Sequence, residues 1–288
     1  MQRRESGELA SQEISLDLQT ASQFVQALRA PLRCAAAPQD AAEPLIDQHS
    51  WQLALAIGLV TRAWGPLFAV DGLGLTPARC VHISQQFTFS APLAAGLRYR
   101  IEPTLTKIRR RQSHDVIEIE FAVTTPARRC ATANTVLWSY HQEYAAPSLQ
   151  AKSAGQNDAD SQSEDEHAVI GRLTQTDLRG YAELSQDHNP IHTDAAAAAQ
   201  LGFPGPIAHG MLLLGLAGQR LIDDHPGRWL SLAQAAFSAP LVVPQEGVQL
   251  RFHRVASPAA QPPAEQLNFQ LSGSNGPLLS RARAHFAS

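Results

Sequence analysis

The sequence contains only three cysteines, Cys34, Cys80 and Cys130, and no two of them lie close together. An odd, widely spaced set does not form a disulfide framework, and the lack of a CxxC pair removes the usual signature of zinc or redox chemistry. No stretch reaches the roughly 18 consecutive apolar residues of a membrane span. These absences predict a cytoplasmic protein with no membrane span, no metal and no cofactor.

An excess of charge of one sign is also missing, because the formal net charge is only -3. A primary nucleic-acid binder would normally be strongly basic, so the near-neutral balance predicts that nucleic acid is not a partner. Hydrophobic residues make up 44% of the chain and charged residues 17%. That composition sustains a packed globular core and excludes disorder of the whole chain.

The middle of the chain has no apolar periodicity. Residues 147–167 read PSLQAKSAGQNDADSQSEDEH and are rich in Ser, Gln and Asp. Such a segment buries too little apolar surface to offset the entropy lost on ordering. We therefore predict an N-terminal domain over 1–146, a flexible acidic and polar linker over 147–166, and a C-terminal domain over 167–288.

Each half shows helical patterns first and strand patterns afterwards. The first half predicts helices over 15–30 and over Trp51–Trp64, a loop over 65–77, and strands near 81–90, 97–109, 114–124 and 129–141. In the second half, Thr176 is predicted to cap a helix that starts at Asp177. The other elements predicted there are a strand over 167–173, helices over Ala195–Leu201 and Met211–Ile222, and strands near 229–239, 247–256, 265–272 and 278–286.

A five-residue repeat supports the division into two halves. The string Phe-Ser-Ala-Pro-Leu occurs at 89–93 and again at 237–241, an offset of 237 − 89 = 148 residues. Both copies end a predicted strand, so duplication explains them better than chance. A strand-rich half with one long apolar helix predicts an α+β fold in which a curved antiparallel sheet wraps around that helix.

The densest group of polar and titratable residues lies between Tyr181 and Met211. Because Pro190 disfavours the helical conformation of the residue before it, Asp187 and His192 are predicted on an irregular loop. A carboxylate can orient a water or take its proton, and an imidazole can give or take a proton near neutral pH. The pair is a candidate for proton transfer on a bound water. A hydrogen-bonded pair that only stabilises the loop is the structural alternative.

The segment Pro206-Ile207-Ala208-His209-Gly210-Met211 turns into the apolar helix. Free backbone N–H groups at a helix start attract developing negative charge, and Gly210 lets a ligand approach the backbone closely. Those features suit an oxyanion site for a thioester carbonyl. His209 is predicted to fix the start of the helix rather than to transfer protons. Metal binding by Asp187, His192 and His209 is disfavoured because their spacing matches no zinc pattern.

These residues resemble a known family. The string Ser185-x-Asp187-x-Asn189-Pro190-Ile191-His192-x-Asp194, followed by Gly202-Phe203 and by 206–211, resembles the hydratase 2 motif of the MaoC-like, (R)-specific enoyl-thioester hydratases. The resemblance covers most of residues 167–288. The first half resembles the degenerate N-terminal repeat of two-repeat members in its layout and in its own FSAPL segment.

The resemblance implies a double hot-dog fold, in which one chain mimics the dimer of single-repeat members, and it leaves a further homodimer open. It also implies reversible hydration of a trans-2-enoyl thioester, carried by coenzyme A or by an acyl carrier protein, to the (3R)-3-hydroxyacyl product. Asp187 and His192 would then be the catalytic pair on one water. The Gly210 N–H would face the thioester oxygen, and Asn189 would support the loop or the pair.

Two departures from the family pattern bear on the prediction. Some members have a small hydroxyl residue in the long helix near the catalytic pair, where this chain has Leu216-Ala217-Gly218. The first half lacks the motif, because Ile46-Asp47-Gln48-His49-Ser50 precedes its long helix. We therefore expect one active site per chain, with the first half shaping the acyl pocket.

Two other functions remain open on the sequence alone: a non-catalytic hot-dog protein that binds acyl thioesters, and a hot-dog thioesterase. The basic run Arg109–Arg111 is predicted to be a solvated strand tip, with contact to coenzyme A phosphates as the alternative. His188 is predicted to lie on the surface.

Overall fold

The computed structural model describes residues 7–32, 49–68, 75–141, 168–255, 265–273 and 276–287. The predicted linker 147–166 lies outside the described residues, and so do positions 46–48 in front of the first long helix.

The described residues form six α-helices and twelve β-strands. The helices are α1 (Leu18–Arg29), α2 (Gln52–Arg62), α3 (Gly65–Phe68), α4 (Gln175–Ser185), α5 (Ala195–Gln200) and α6 (Gly210–Asp224). The strands of the first half are β1 (Gly7–Glu8), β2 (Gln12–Ser15), β3 (Cys80–Phe89), β4 (Arg98–Arg110), β5 (His114–Thr124) and β6 (Arg129–Tyr140). Those of the second half are β7 (Ala168–Leu173), β8 (Trp229–Phe237), β9 (Val248–Val255), β10 (Glu265–Gly273), β11 (Gly276–Pro277) and β12 (Leu279–Ala287).

All these strands belong to one antiparallel sheet. Its order is β1-β4-β5-β6-β3-β8-β12-β10-β9-β7, with β2 paired to β4 and β11 paired to β10. The two halves meet only at the β3–β8 pair within this order, so each half contributes a contiguous block of strands. The predicted α+β architecture, helices covered by an antiparallel sheet, is confirmed.

The central pair of strands carries the two copies of the FSAPL repeat. Phe89 ends β3 and Phe237 ends β8. In the antiparallel register between these strands, Gln86 lies opposite Gln234, and 234 − 86 is again 148. A residue therefore pairs with its own counterpart in the repeat, which places a pseudo-twofold axis between these two glutamines.

The long helices α2 and α6 are buried in the middle of the molecule. Ten of the eleven residues of α2 are buried, since the helix is apolar on every side. Glycines bring the helices close together: a Cβ on Gly218 would lie 2.2 Å from Leu53 Cδ2, and one on Gly215 would lie 2.7 Å from Leu28 Cδ2. Within the described residues, no helix has the length and apolarity needed to cross a membrane.

The predicted cap of α4 is wrong. Thr174, not Thr176, is the N-cap residue, and the helix begins at Gln175. The reason is a capping box: the Thr174 hydroxyl accepts from the Asp177 N–H, and the Asp177 carboxylate accepts from the Thr174 N–H at 2.8 Å. Asp177 is thus the third helical residue, where its charge also suits the helix dipole.

Two predictions in the first half are also corrected. The helix predicted over 15–30 begins only at Leu18, because Asp17 caps α1 by accepting from the Thr20 N–H at 2.7 Å, and Ser15 ends strand β2 instead. The predicted loop 65–77 begins with the short helix α3, whose Leu67 N–H donates to the Trp64 carbonyl.

Candidate active site

The loop that carries Asp187 begins where α4 ends. Gln186 takes a left-handed conformation with φ of 60°, which stops the helix and turns the chain. The Asp187 N–H then donates to the Ser185 hydroxyl at 3.2 Å. The turn presents the Asp187 side chain on an irregular segment, as the sequence predicts.

His192 follows on a 3₁₀ turn, Pro190–His192, and its side chain is buried. Its Nδ1 lies 2.8 Å from the Ile207 carbonyl oxygen. A carbonyl can only accept, so this contact assigns the proton of the neutral ring to Nδ1 and the lone pair to Nε2. His192 therefore offers a proton acceptor on the side of the ring away from Ile207.

His209 connects the two pieces of the site. It is the N-cap residue of α6, and its Nε2 donates to the backbone carbonyl of Asp187 at 3.2 Å. Its ring stacks on His192, with centroids 3.7 Å apart and planes 27° apart. The start of α6 is thereby tied to the loop of Asp187 and to the ring of His192.

Burial keeps both histidines neutral. Burial lowers the pKa of His192 from its usual value, and the nearby carboxylate of Asp187 opposes that shift. Burial holds the pKa of His209 well below its usual value, and the neighbouring His192 lowers it further. At neutral pH the His192 Nε2 is consequently free to take a proton.

The side chains of Asp187, His192 and His209 also meet the distance criterion for a metal cluster, since their ligand atoms lie within 4.8 Å of one another. The stacking argues against convergence on an ion. Nearly parallel rings direct their lone pairs side by side, whereas an ion requires lone pairs that point to one centre. The arrangement fits a hydrogen-bonded water better than a metal.

Gly210 begins α6, so its N–H is among the donors for which the helix itself has no acceptor. A Cβ at this position would meet the ring of Phe237 at 3.1 Å. The glycine therefore lets the Phe237 ring pack directly against the start of α6.

A cavity of about 200 Å³ brings these groups together. Asp187, Asn189, His192 and Gly210 all line it, whereas His209 lies behind His192 and does not. The remaining walls are mostly apolar and come from both halves: Trp64, Phe68, Pro77, Cys80, Val81, His82, Ile83, Leu137 and Trp138 from the first, and Ile191, Ile207, Ala208, Met211, Leu213, Phe237, Ser238, Ala239, Pro240 and Leu241 from the second.

Comparison with known proteins finds relatives of part of this chain. Residues 159–261 match the family model described as "MaoC like domain". The match covers about a third of the chain and lies mostly in its second half. A curated relative, the (R)-specific enoyl-CoA hydratase of Aeromonas caviae, is 41% identical over 77 residues, which are 26% of this chain and 58% of that protein. The chain spans between 16% and 58% of the lengths of the curated relatives that it matches.

Solved structures extend the likeness to the whole chain. A protein named "MaoC-like dehydratase" superposes with a TM-score of 0.73 at 20% identity, covering 99% of this chain and 98% of that one. A Mycobacterium tuberculosis protein reported to have a double hotdog fold superposes with a TM-score of 0.58 at 10% identity, covering 99% and 96%. The double hot-dog fold predicted from the sequence is confirmed.

The first half holds the Asp187–His192 loop of the second half in place. The Asn189 amide nitrogen donates to the Pro77 carbonyl at 2.8 Å, while its Oδ1 accepts from the Ile191 N–H at 3.4 Å. Asn189 thus caps the 3₁₀ turn of its own loop and fastens that loop to the other half. The sequence allowed two roles for Asn189, support of the loop or support of the catalytic pair. It could not identify Pro77 as a hydrogen-bond partner.

Sequence reasoning missed two cavity residues that the first half contributes, His82 and Trp138. Both lie on predicted strands, so alternation could have placed them on an inward face, but it could not say that this face meets the second half. Trp64, the last residue of the helix predicted over Trp51–Trp64, is buried and lines the cavity.

Two remaining predictions concern residues outside the cavity. The side chain of His188 is 58% exposed, in agreement with a surface position. Arg109–Arg111 lie where β4 ends, and none of them lines the cavity. Arg109 pairs with Glu118 on the neighbouring strand, and both side chains are partly exposed.

Proposed function

We propose that this protein adds water across the double bond of a trans-2-enoyl thioester to give the (3R)-3-hydroxyacyl thioester, and catalyses the reverse dehydration. One observation carries the proposal: the Asp187 carboxylate, the lone pair of His192 Nε2 and the helix-start N–H of Gly210 border one mostly apolar cavity. Hydration requires a proton acceptor for water and a donor for the thioester oxygen, and this cavity offers both.

The proposed hydration begins with a water held between Asp187 and His192. As the water oxygen bonds to C3, one of its O–H bonds breaks and His192 Nε2 takes the proton. The C2–C3 double bond becomes an enolate, whose negative charge collects on the thioester oxygen. The Gly210 N–H donates to that oxygen, and the positive end of the α6 dipole stabilises the charge further.

The second step returns the proton. The imidazolium of His192 donates from Nε2 to C2, the enolate collapses to the thioester, and His192 is neutral again. One group has handled the proton on one face of the alkene, so H and OH add to the same face. Asp187 stabilises the imidazolium through its charge, because that carboxylate raises the pKa of His192 against the effect of burial.

The proposed substrates are thioesters of coenzyme A or of an acyl carrier protein. Relatives named for 3-hydroxyacyl thioesters, for enoyl-CoA and for 3-hydroxyacyl-acyl-carrier-protein match 15%, 26% and 24% of this chain. The apolar walls of the cavity suit an acyl group, and only the end with the thioester meets polar groups.

Two substitutions and a matched control test the proposal on crotonyl-CoA, with the loss of enoyl absorbance as the measurement. Asp187→Asn keeps the shape of the side chain but removes its charge, and His192→Ala removes the proton carrier. Each is expected to lower kcat by at least about 10²-fold, and the double variant should be little worse than the poorer single one because the groups act as a unit. His188→Ala, on the same loop but exposed, should retain kcat within about twofold.

Near-normal activity of either Asp187→Asn or His192→Ala on the best substrate would contradict the proposal. Binding of acyl-CoA without any turnover by the unaltered protein would instead favour a non-catalytic acyl-thioester binder. Release of free coenzyme A in place of hydration would favour a thioesterase.

A further inference from the structure

His82 is a polar residue in the aromatic part of the cavity wall. It comes from β3 in the first half, and its ring lies between Trp64, with centroids 5.0 Å apart, and Phe237, with centroids 4.7 Å apart. Both rings meet it edge to face. His82 is half-buried, and a half-buried imidazole among aromatic side chains costs free energy relative to another apolar ring unless its nitrogens find partners.

An irregularity in the sheet determines where His82 points. The pairing of β3 with β6 shifts between His82 and Ser84, so one extra residue is inserted in β3 at this point. Such a bulge rotates the side chains next to it away from the regular alternation. As a result Val81, His82 and Ile83 all line the cavity, although they are consecutive residues of a strand.

The chemical character of the ring is fixed by its backbone contact. His82 Nε2 lies 3.0 Å from the Ser84 carbonyl oxygen, so Nε2 carries the proton and Nδ1 carries the lone pair. The amide of Gln85 also contacts the His82 ring, through a hydrogen bond that favours the protonated imidazole. The Gln85 oxygen accepts from Thr135 at 2.7 Å as well, and the Gln85 nitrogen donates to Gln86 at 3.3 Å.

His82 is also uncharged. Burial lowers the pKa of His82 to about 3, although the contact with the Ser84 carbonyl opposes the shift. A neutral imidazole with its lone pair on Nδ1 accepts a hydrogen bond from a hydroxyl group, and it offers no positive charge to a carboxylate.

The position of His82 relates it to the reacting end of the substrate. The Phe237 ring lies next to both Gly210 and His82, and all three residues line the same cavity. A substrate whose thioester oxygen faces Gly210 therefore shares the cavity with His82, and one aromatic ring contacts both residues. The size of the cavity, about 200 Å³, compares with roughly 150 Å³ for an apolar cavity that holds one benzene molecule.

We propose that His82 is a specificity-determining residue that accepts a hydrogen bond from a hydroxyl group on a short acyl chain. The preferred substrates are then compact enoyl thioesters that carry a hydroxyl beyond the double bond. The inference rests on the proposed function for the identity of the thioester. The hydrogen bond itself can be measured without any reaction.

The test uses saturated ligands, which the proposed chemistry does not transform. Hexanoyl-CoA is compared with its 4-, 5- and 6-hydroxy derivatives by titration calorimetry. One of the hydroxylated ligands is expected to bind about two- to tenfold more tightly than hexanoyl-CoA, the range for one neutral hydrogen bond. In His82→Phe, which keeps a ring of similar size, that preference should disappear.

Two further variants complete the experiment. His82→Asn can present an oxygen close to the position of Nδ1, and it should keep part of the preference even if the phenylalanine variant folds poorly. His285→Phe replaces a histidine of β12 that does not line the cavity, and it should keep the full preference.

The proposal is overturned if no hydroxylated ligand binds the unaltered protein more tightly than hexanoyl-CoA. It is also overturned if the preference survives in His82→Phe, or if adipoyl-CoA, with a terminal carboxylate, binds most tightly of all. Failure of the hydratase proposal appears separately, as full activity in Asp187→Asn or His192→Ala.

Discussion

The rings of His192 and His209 stack face to face, with centroids 3.7 Å apart, and each donates its N–H to a backbone carbonyl of the other segment of the site. His192 donates to Ile207 in front of α6, and His209 donates to Asp187 in the loop. The stack is therefore held from both ends. Both rings cannot carry a charge at the same time, because two imidazolium rings at this distance would repel each other strongly.

We expect the protein to lose stability in mild acid. The pKa values of His82, His192 and His209 are all lowered by burial. Below the unfolded value of about 6.5, the unfolded chain binds protons at these positions and the folded chain does not. The stability contributed by these depressed pKa values is thus complete above pH 6.5. It is lost as pH falls, for His82 over the interval down to about pH 3.

The expected slope is up to about 1.4 kcal/mol per pH unit for each histidine. Urea unfolding at pH 7, 6 and 5 measures it. His209→Phe, which keeps a stacked ring but cannot titrate, should show a smaller loss between pH 7 and pH 5 than the unaltered protein. Equal free energies of unfolding at pH 7 and pH 5 would contradict the burial of neutral histidines.

The close packing of Phe237 against Gly210 leads to a second prediction. In Gly210→Ala the new methyl group would meet three atoms of the Phe237 ring at 3.1 Å, so the ring must shift. Because displacement of a positioning group by about 1 Å can cost up to about 10²-fold, we expect kcat/KM for crotonyl-CoA to fall at least about tenfold. Gly205→Ala is the matched control on the same turn, since its methyl group would meet only Val242 Cγ1 at 3.6 Å. Equal activity of the two variants would show that the Gly210 side of the cavity is not used.

Much of the fold could be predicted because it depends on local patterns. The alternation in His114–Thr124 and the apolar run that begins at Trp51 are repeated in the structure as β5 and α2. The repeat at 89 and 237 indicated the duplication, and the paired register of Gln86 with Gln234 shows where its axis lies. The cap of α4 was misplaced because two threonines precede Asp177, and only Thr174 is spaced three residues before it.

The candidate site could be predicted only in part. Asp187, His192 and Gly210 lie in one continuous motif, so their proximity follows from a short segment of chain. The contact of Asn189 with Pro77 joins residues 112 positions apart. His82 is turned into the cavity by a β-bulge, which the pattern of residues in this strand does not predict. Contacts between the halves depend on how the two blocks of sheet meet, which local periodicity does not encode.

The contact between the halves near Gly171 predicts a third result. A Cβ on Gly171, in β7, would lie 1.6 Å from the Pro31 carbonyl oxygen, so Gly171→Ala forces the backbone of the two halves apart. We expect a loss of about 3 kcal/mol or more in the free energy of unfolding. Gly180→Ala is the control: nothing lies within 4 Å of the new methyl group inside α4, and the better helix propensity of alanine should stabilise the protein by about 0.5–1 kcal/mol. Urea unfolding compares both variants with the unaltered chain, and a stable Gly171→Ala would refute the close approach.

The second half expressed alone, residues 167–288, tests whether the two halves form one folding unit. Removing the first half exposes the edge of β8, which is paired with β3 through Ser84 to Thr88, and uncovers the faces of α6 that pack on Leu53 and Leu28. An unpaired central strand and an exposed apolar helix favour aggregation. It also removes Pro77, the acceptor that holds Asn189, together with His82 and Trp138 from the cavity wall.

We therefore expect an aggregated or self-associated fragment with less than about 1% of the activity, measured by light scattering and by the enoyl assay. Co-expression of residues 1–146 as a separate chain should restore solubility and activity. A monomeric, fully active fragment would show that the first half is dispensable and that the pseudo-dimer is not the functional unit.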